Sequence, residues 1–158
     1  MPWLSALGVG AIGIGAIWLF TGALEVGNNV VIGRVADRRG PLFVIRFALV
    51  GTVVVASLLP LATHSRYLLA ALVVCGGLAF GAFYTPGMTM LTNTAEARGL
   101  DYGYAFALVN LAWAPGQSTG AAIGGAVAQA TSDAVPYLTL AAVALLTLAG
   151  LWRFRSSS

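Results

Sequence analysis

Five long apolar runs, separated by short polar breaks, leave this chain few ways to fold. They cover about residues 9–32, 41–62, 67–92, 103–129 and 134–152, each near the roughly 20 residues that a helix needs to cross the hydrocarbon core of a bilayer. The breaks read RVADRRG, THSR, NTAEARGLDYG and TSDAVP. Backbone polar groups cannot stay unpaired in lipid, so each run is read as a helix, and the alternation of a membrane β-barrel is absent. A soluble alternative fails on composition. Charged residues are 8% of the chain and hydrophobic ones 59%, whereas a water-facing surface draws on about a quarter charged residues. The expected fold is an all-α integral membrane protein, about five transmembrane helices forming a single membrane domain over 1–158. No break is long enough to fold independently.

Orientation follows from the arginines, which supply all the basic charge. Five spans place Arg34, Arg38, Arg39, Arg46, Arg98, Arg153 and Arg155 on one side and Arg66 alone on the other. Basic residues are retained in the cytoplasm, so the chain is expected to be a multi-pass protein of the cell membrane, N-terminus outside and C-terminus cytoplasmic. Arg153 and Arg155, beside Trp152 and Phe154, read as an interfacial anchor closing the last helix. No basic patch with interleaved aromatics is present, which argues against a nucleic-acid partner; membrane lipid is the expected surrounding.

Within this apolar chain, Gly33-Arg34-Val35-Ala36-Asp37-Arg38-Arg39-Gly40 concentrates charge between two glycines. A cytoplasmic tether explains Arg38 and Arg39 but not Asp37, since acids contribute little to topology. The spacing resembles the loop signature of the major facilitator superfamily, G-x-x-x-D-R-x-G, which joins the second and third helices of each six-helix half. Pro41 and Leu42 depart from it, standing where further basic residues are common. CGGLAFGAFYTPGMTML (75–91) and NLAWAPGQSTGAAIGGAVA (110–128) look like the tenth and eleventh helices of that family. The resemblance implies a partial superfamily bundle, helices eight to twelve of twelve, in a chain that is a fragment or a truncated product. Its partner would be the missing N-terminal half or a second chain. It further implies that Gly33 allows close helix approach, that Asp37 near a helix N-terminus forms part of a latch, and that Arg34, Arg38 and Arg39 complete a cytoplasmic gate ending at Gly40.

Glu25 is the sharpest individual signal. It lies about 12 Å from Gly33 along a helix, and a charge that deep costs at least about 2.5 kcal/mol unless it faces protein or water. Trp18, Thr21, Gly22, Glu25, Asn28, Asn29 and Ile32 recur at spacings of three and four, giving the first helix one polar face. One reading is a cavity lining with Glu25 as a proton- or cation-binding carboxylate. The other is a structural acid, protonated or paired with an amide across a helix interface. Asn110, Trp113 and Gln117 form a second such face, either lining a pathway or joining helices. Gly116, Gly120 and Gly124 make a small-residue ridge suited to close helix packing. Pro86 and Pro115 are expected to bend their helices.

Catalytic chemistry has little to work with. His64 is alone in a short outer loop, Cys75 is the only cysteine, and no metal-ligand cluster or phosphate-binding loop occurs. No enzyme activity, metal or cofactor is expected. The function implied is movement of a small-molecule substrate by a secondary transporter working by alternating access, with proton-coupled efflux as its finer form. The alternative is a non-transporting membrane scaffold or assembly subunit.

Overall fold

The computed structural model describes residues 8–62 and 64–153. Among them the chain is all-helical: α1 (Ala11–Arg39), α2 (Pro41–Leu58), a 3₁₀ turn (Leu59–Ala62), α3 (Arg66–Gly81), α4 (Tyr84–Ala97), α5 (Tyr102–Ala130) and α6 (Ala134–Arg153). Four helical runs are long and apolar enough to cross a membrane: α1, α2 with its 3₁₀ turn, α3 with α4, and α6. The fourth expected span, α5, has the length, 29 residues, but Asn110, Gln117, Ser118 and Thr119 keep its hydropathy below that of the others.

α2 is the centre of the bundle. Val44, Ala48, Thr52, Val55 and Ala56 are buried at helical spacing, and the helix packs against α6, α3 and α1. Small residues let the backbones approach: a methyl added at Gly51 would already stand 3.4 Å from the Ala79 Cβ. Val55, Leu59, Ala62 and Leu69 close the core where α2 turns into α3. At its other end Arg46 donates through Nη2 to the Leu151 carbonyl at 2.9 Å, and its guanidinium lies 5.6 Å from the Trp152 ring centre. A cation on the final carbonyls of α6 opposes the negative end of that helix dipole. Trp152 and Arg153 are thus at the end of α6; Phe154 and Arg155, the rest of the expected anchor, lie outside the described residues.

Two expectations about the helices change. The charged stretch is not a loop, because α1 runs on through Arg39, about 43 Å in all. Arginine and alanine favour helix, and basic residues suit a last turn, so nothing stops the helix before Gly40. There φ is +84°, a region glycine enters without steric cost, and the Gly40 N–H bonds the Ala36 carbonyl at 2.8 Å. Pro41 then opens α2 at a position where its missing N–H costs nothing. Asp37 consequently sits in the last turn of α1 instead of at a helix N-terminus, and no side chain caps α2.

The third expected span is two helices. Pro86 has no N–H to offer the Ala82 carbonyl, and its ring crowds that carbonyl. The chain breaks there: Phe83 N–H turns back to Phe80 at 3.3 Å, and the ladder resumes with Gly87 N–H on Phe83 at 3.0 Å. Pro115, by contrast, sits inside α5 without interrupting it.

Candidate solute site

The polar face of α1 meets the broken third span. Thr21 is 1% exposed and returns its hydroxyl to the Ile17 carbonyl at 2.7 Å, which leaves its methyl to pack. That methyl occupies the space a side chain at Gly77 would need. One turn on, Glu25 lies across the same glycine face. A Cβ on Gly77 would come within 3.2 Å of its Oε1, and one on Gly81 within 3.3 Å of its Cδ. Asn28 Nδ2 donates to the Leu78 carbonyl at 3.3 Å, and Thr85 Oγ1 donates to Asn29 Oδ1 at 3.4 Å. Asn28 and Asn29 therefore grip the chain on either side of the Ala82–Phe83 break. Among the described residues the Glu25 carboxylate has neither a hydrogen-bond donor nor a cation as partner.

Glu25 is also at a cavity of about 820 Å³. Trp18 and Glu25 line it from α1, and Val73, Gly77 and Phe80 from α3. Across the space stand Gly120, Gly124 and Gln129 of α5, with Asp133 of the α5–α6 connection and Tyr137 in the first turn of α6. Leu59, Leu69 and Pro136 also line it, so the cavity belongs to the end of the bundle where α2 turns into α3 and α5 into α6. The α1–α2 turn with Arg34, Asp37, Arg38 and Arg39 is at the opposite end. Those four side chains are exposed, and Arg39 stacks 5.0 Å above the Phe43 ring. Gly33 has open space where a side chain would stand, so no helix approaches it closely.

The second polar face is separate from this cavity. Asn110 is exposed and bonds the Phe106 carbonyl of its own helix at 3.1 Å. Trp113 is 61% exposed, Gln117 is exposed, and none of the three lines the cavity. The glycine ridge also differs from its expected role. Among the described residues nothing lies within 4 Å of a Cβ placed at Gly116, Gly120 or Gly124. In this chain the ridge borders open space, and Gly120 and Gly124 face the cavity instead of a neighbouring helix.

Sequence reasoning missed Gln129, Asp133 and Tyr137. Asp133 read as part of a polar break, and only the return of α6 beside α2 and the 3₁₀ turn carries it into the cavity. Among the described residues no group of His, Cys, Asp and Glu could hold a metal ion.

Comparison with known proteins agrees with this architecture. The family model for the Major Facilitator Superfamily matches residues 1–158. No curated protein and no solved structure matches the chain. A match along the whole sequence, on a bundle of apolar helices, makes this chain a member of the Major Facilitator Superfamily.

Proposed function

We propose that the chain supplies one side of the solute pathway in a transporter that moves a small solute by alternating access, exporting it in exchange for protons. The observation that carries this reading is the cavity of about 820 Å³ with, on its wall, the Glu25 carboxylate, which has no partner among the described residues. Its volume suits a small organic molecule. A carboxylate without a fixed cation can exchange a proton, and neutralising it removes the cost of a charge at this depth. Glu25 would carry that proton. The Gly33–Gly40 end of α1 would face the cytoplasm, in keeping with the arginine distribution. Binding sites in such transporters form between structural repeats near the midplane. The rest of the pathway would come from a preceding half or a second chain, with Asn110, Trp113 and Gln117 on the surface it covers.

Gradient-driven flux tests this. Everted vesicles from cells expressing the chain in its native genetic context would be loaded with a pH-sensitive dye and screened for solutes that discharge an imposed proton gradient. Discharge that disappears in Glu25→Gln is the expected result; full gradient dependence in that variant rules out Glu25 as the proton carrier.

A scaffold reading has its own observation. Asn28 and Asn29 bond across helices and are not among the residues lining the Glu25 cavity, which is what a purely structural stripe does. It would prevail if stripe substitutions damaged assembly while solute flux per assembled molecule stayed constant.

A further inference from the structure

The cavity that the transport reading uses also indicates what kind of molecule fits it. From the geometry we infer that its ligand is an apolar organic cation. This rests on the transport reading only for the ligand being carried; binding stands apart.

Three observations converge. First, charge: among the described residues the ionisable side chains on the wall are acids and a phenol, Glu25, Asp133 and Tyr137, with no arginine or histidine lining the space. An anion entering here would meet two carboxylates on a largely apolar wall, and their repulsion opposes it. A cation offsets them. Second, shape and polarity: apart from these groups and Gln129, the wall is glycine, alanine and apolar side chains. A small, strongly hydrated cation would lose its water to a surface with few donors and acceptors, so the charge must be carried by a body that prefers apolar contact. Third, aromatic rings: Trp18, Phe80 and Tyr137 face the same space, and ring faces attract diffuse organic cations.

The carboxylates also lie at different depths. Asp133 is in the α5–α6 connection, at the end of the bundle, while Glu25 lies two turns along α1 from Trp18, towards the bundle middle. Asp133 attracts the cation at the mouth and Glu25 holds it inside. The open side of the α5 glycines sets the room available, because a Cβ at Gly124 would meet no atom of the described residues within 4 Å and would stand on the cavity wall.

Two ions of one shape and opposite charge test the assignment: tetraphenylphosphonium and tetraphenylborate, measured by equilibrium dialysis against the full chain in lipid nanodiscs, with empty nanodiscs subtracted. Saturable phosphonium binding without saturable borate binding is expected. Glu25→Gln should weaken it at least about tenfold, the scale of one lost charge-assisted contact. Asp133→Asn should weaken it less, Glu25→Asp should retain most of it, and Gly124→Leu should abolish it at unchanged helix content. Equal binding of both ions overturns the assignment, as does phosphonium binding indifferent to Glu25→Gln and Gly124→Leu, or none above empty nanodiscs. The transport reading fails separately: neutral-solute flux with no phosphonium binding overturns the cation assignment alone, whereas specific phosphonium binding supports the site even if no flux is found.

Discussion

α1 and α5 carry the same sequence pattern, polar side chains three and four residues apart in a long apolar helix, and meet different environments. On α1, Thr21, Glu25, Asn28 and Asn29 press against another helix, with Asn28 and Asn29 bonding across to residues 78 and 85. On α5, Asn110 bonds its own helix, and Trp113 and Gln117 are exposed. The difference does not lie in the stripes. It lies opposite them, in Gly77 and Gly81, which give α3 a face flat enough to receive Glu25. α5 packs mainly against the helices it is joined to, and its stripe has no counterpart in this chain. A polar stripe says that a helix wants a partner; a glycine face on another helix says where that partner is.

The strongest way to break this contrast is to fill the two glycine surfaces. Gly77→Leu would drive a side chain into Thr21 and Glu25, and overpacking of this kind costs about 1–3 kcal/mol. Gly120→Leu meets open space and should leave stability near wild type. Unfolding in mixed micelles, followed by circular dichroism, checks both; equal losses would mean that the α5 ridge is packed after all.

Pro86→Ala acts on the break that the α1 amides span. Restoring an N–H opposite the Ala82 carbonyl should merge α3 and α4 into one helix and lengthen or abolish the Asn29–Thr85 bond of 3.4 Å. Amide exchange at residues 83–87 should slow severalfold as the ladder closes.

The amides themselves sharpen the contrast at smaller scale. Interhelical hydrogen bonds in membranes average about 0.6 kcal/mol in double-mutant cycles, so Asn29→Ala with Thr85→Ala should show a coupling near that size. Asn110→Ala should cost less than either single change, since its bond is local and exposed. Smallest in energy is an optical test. Trp113, 61% exposed, should be strongly quenched by brominated lipid in the isolated chain and protected once a further helix covers α5.

Most of the architecture was legible because a bilayer imposes length. An apolar run of the right size with a polar break at each end reads directly as a helix, and Pro86 announced the bend that became the α3–α4 break. Two features escaped for physical reasons. The end of α1 looked like a loop because charge was taken as a sign of exit from the membrane. Exposure and helicity are independent, however, and Arg34, Asp37, Arg38 and Arg39 are both exposed and helical. The cavity was half visible. Glu25 stood out because burying a carboxylate is costly, whereas Asp133 and Tyr137 depend on which helix ends are neighbours, and spacing along one helix carries no information about that. The same gap grouped Asn110, Trp113 and Gln117 with Glu25, although the fold keeps them out of its cavity.

The unbroken length of α1 has a mechanical consequence. Glu25 and Asp37 are twelve residues apart on one rod, about 18 Å along its axis, with neither a glycine-proline joint nor a bulge between them. A rod of that kind twists little under load. Any roll forced on it where Glu25 lies against Gly77 and Gly81 must reappear undiminished at Arg34, Asp37, Arg38 and Arg39. Gly40 is the only residue between that rod and α2. The change of direction between the arginine-rich end and α2, which Arg46 fastens to the tail of α6, is therefore concentrated in that one residue.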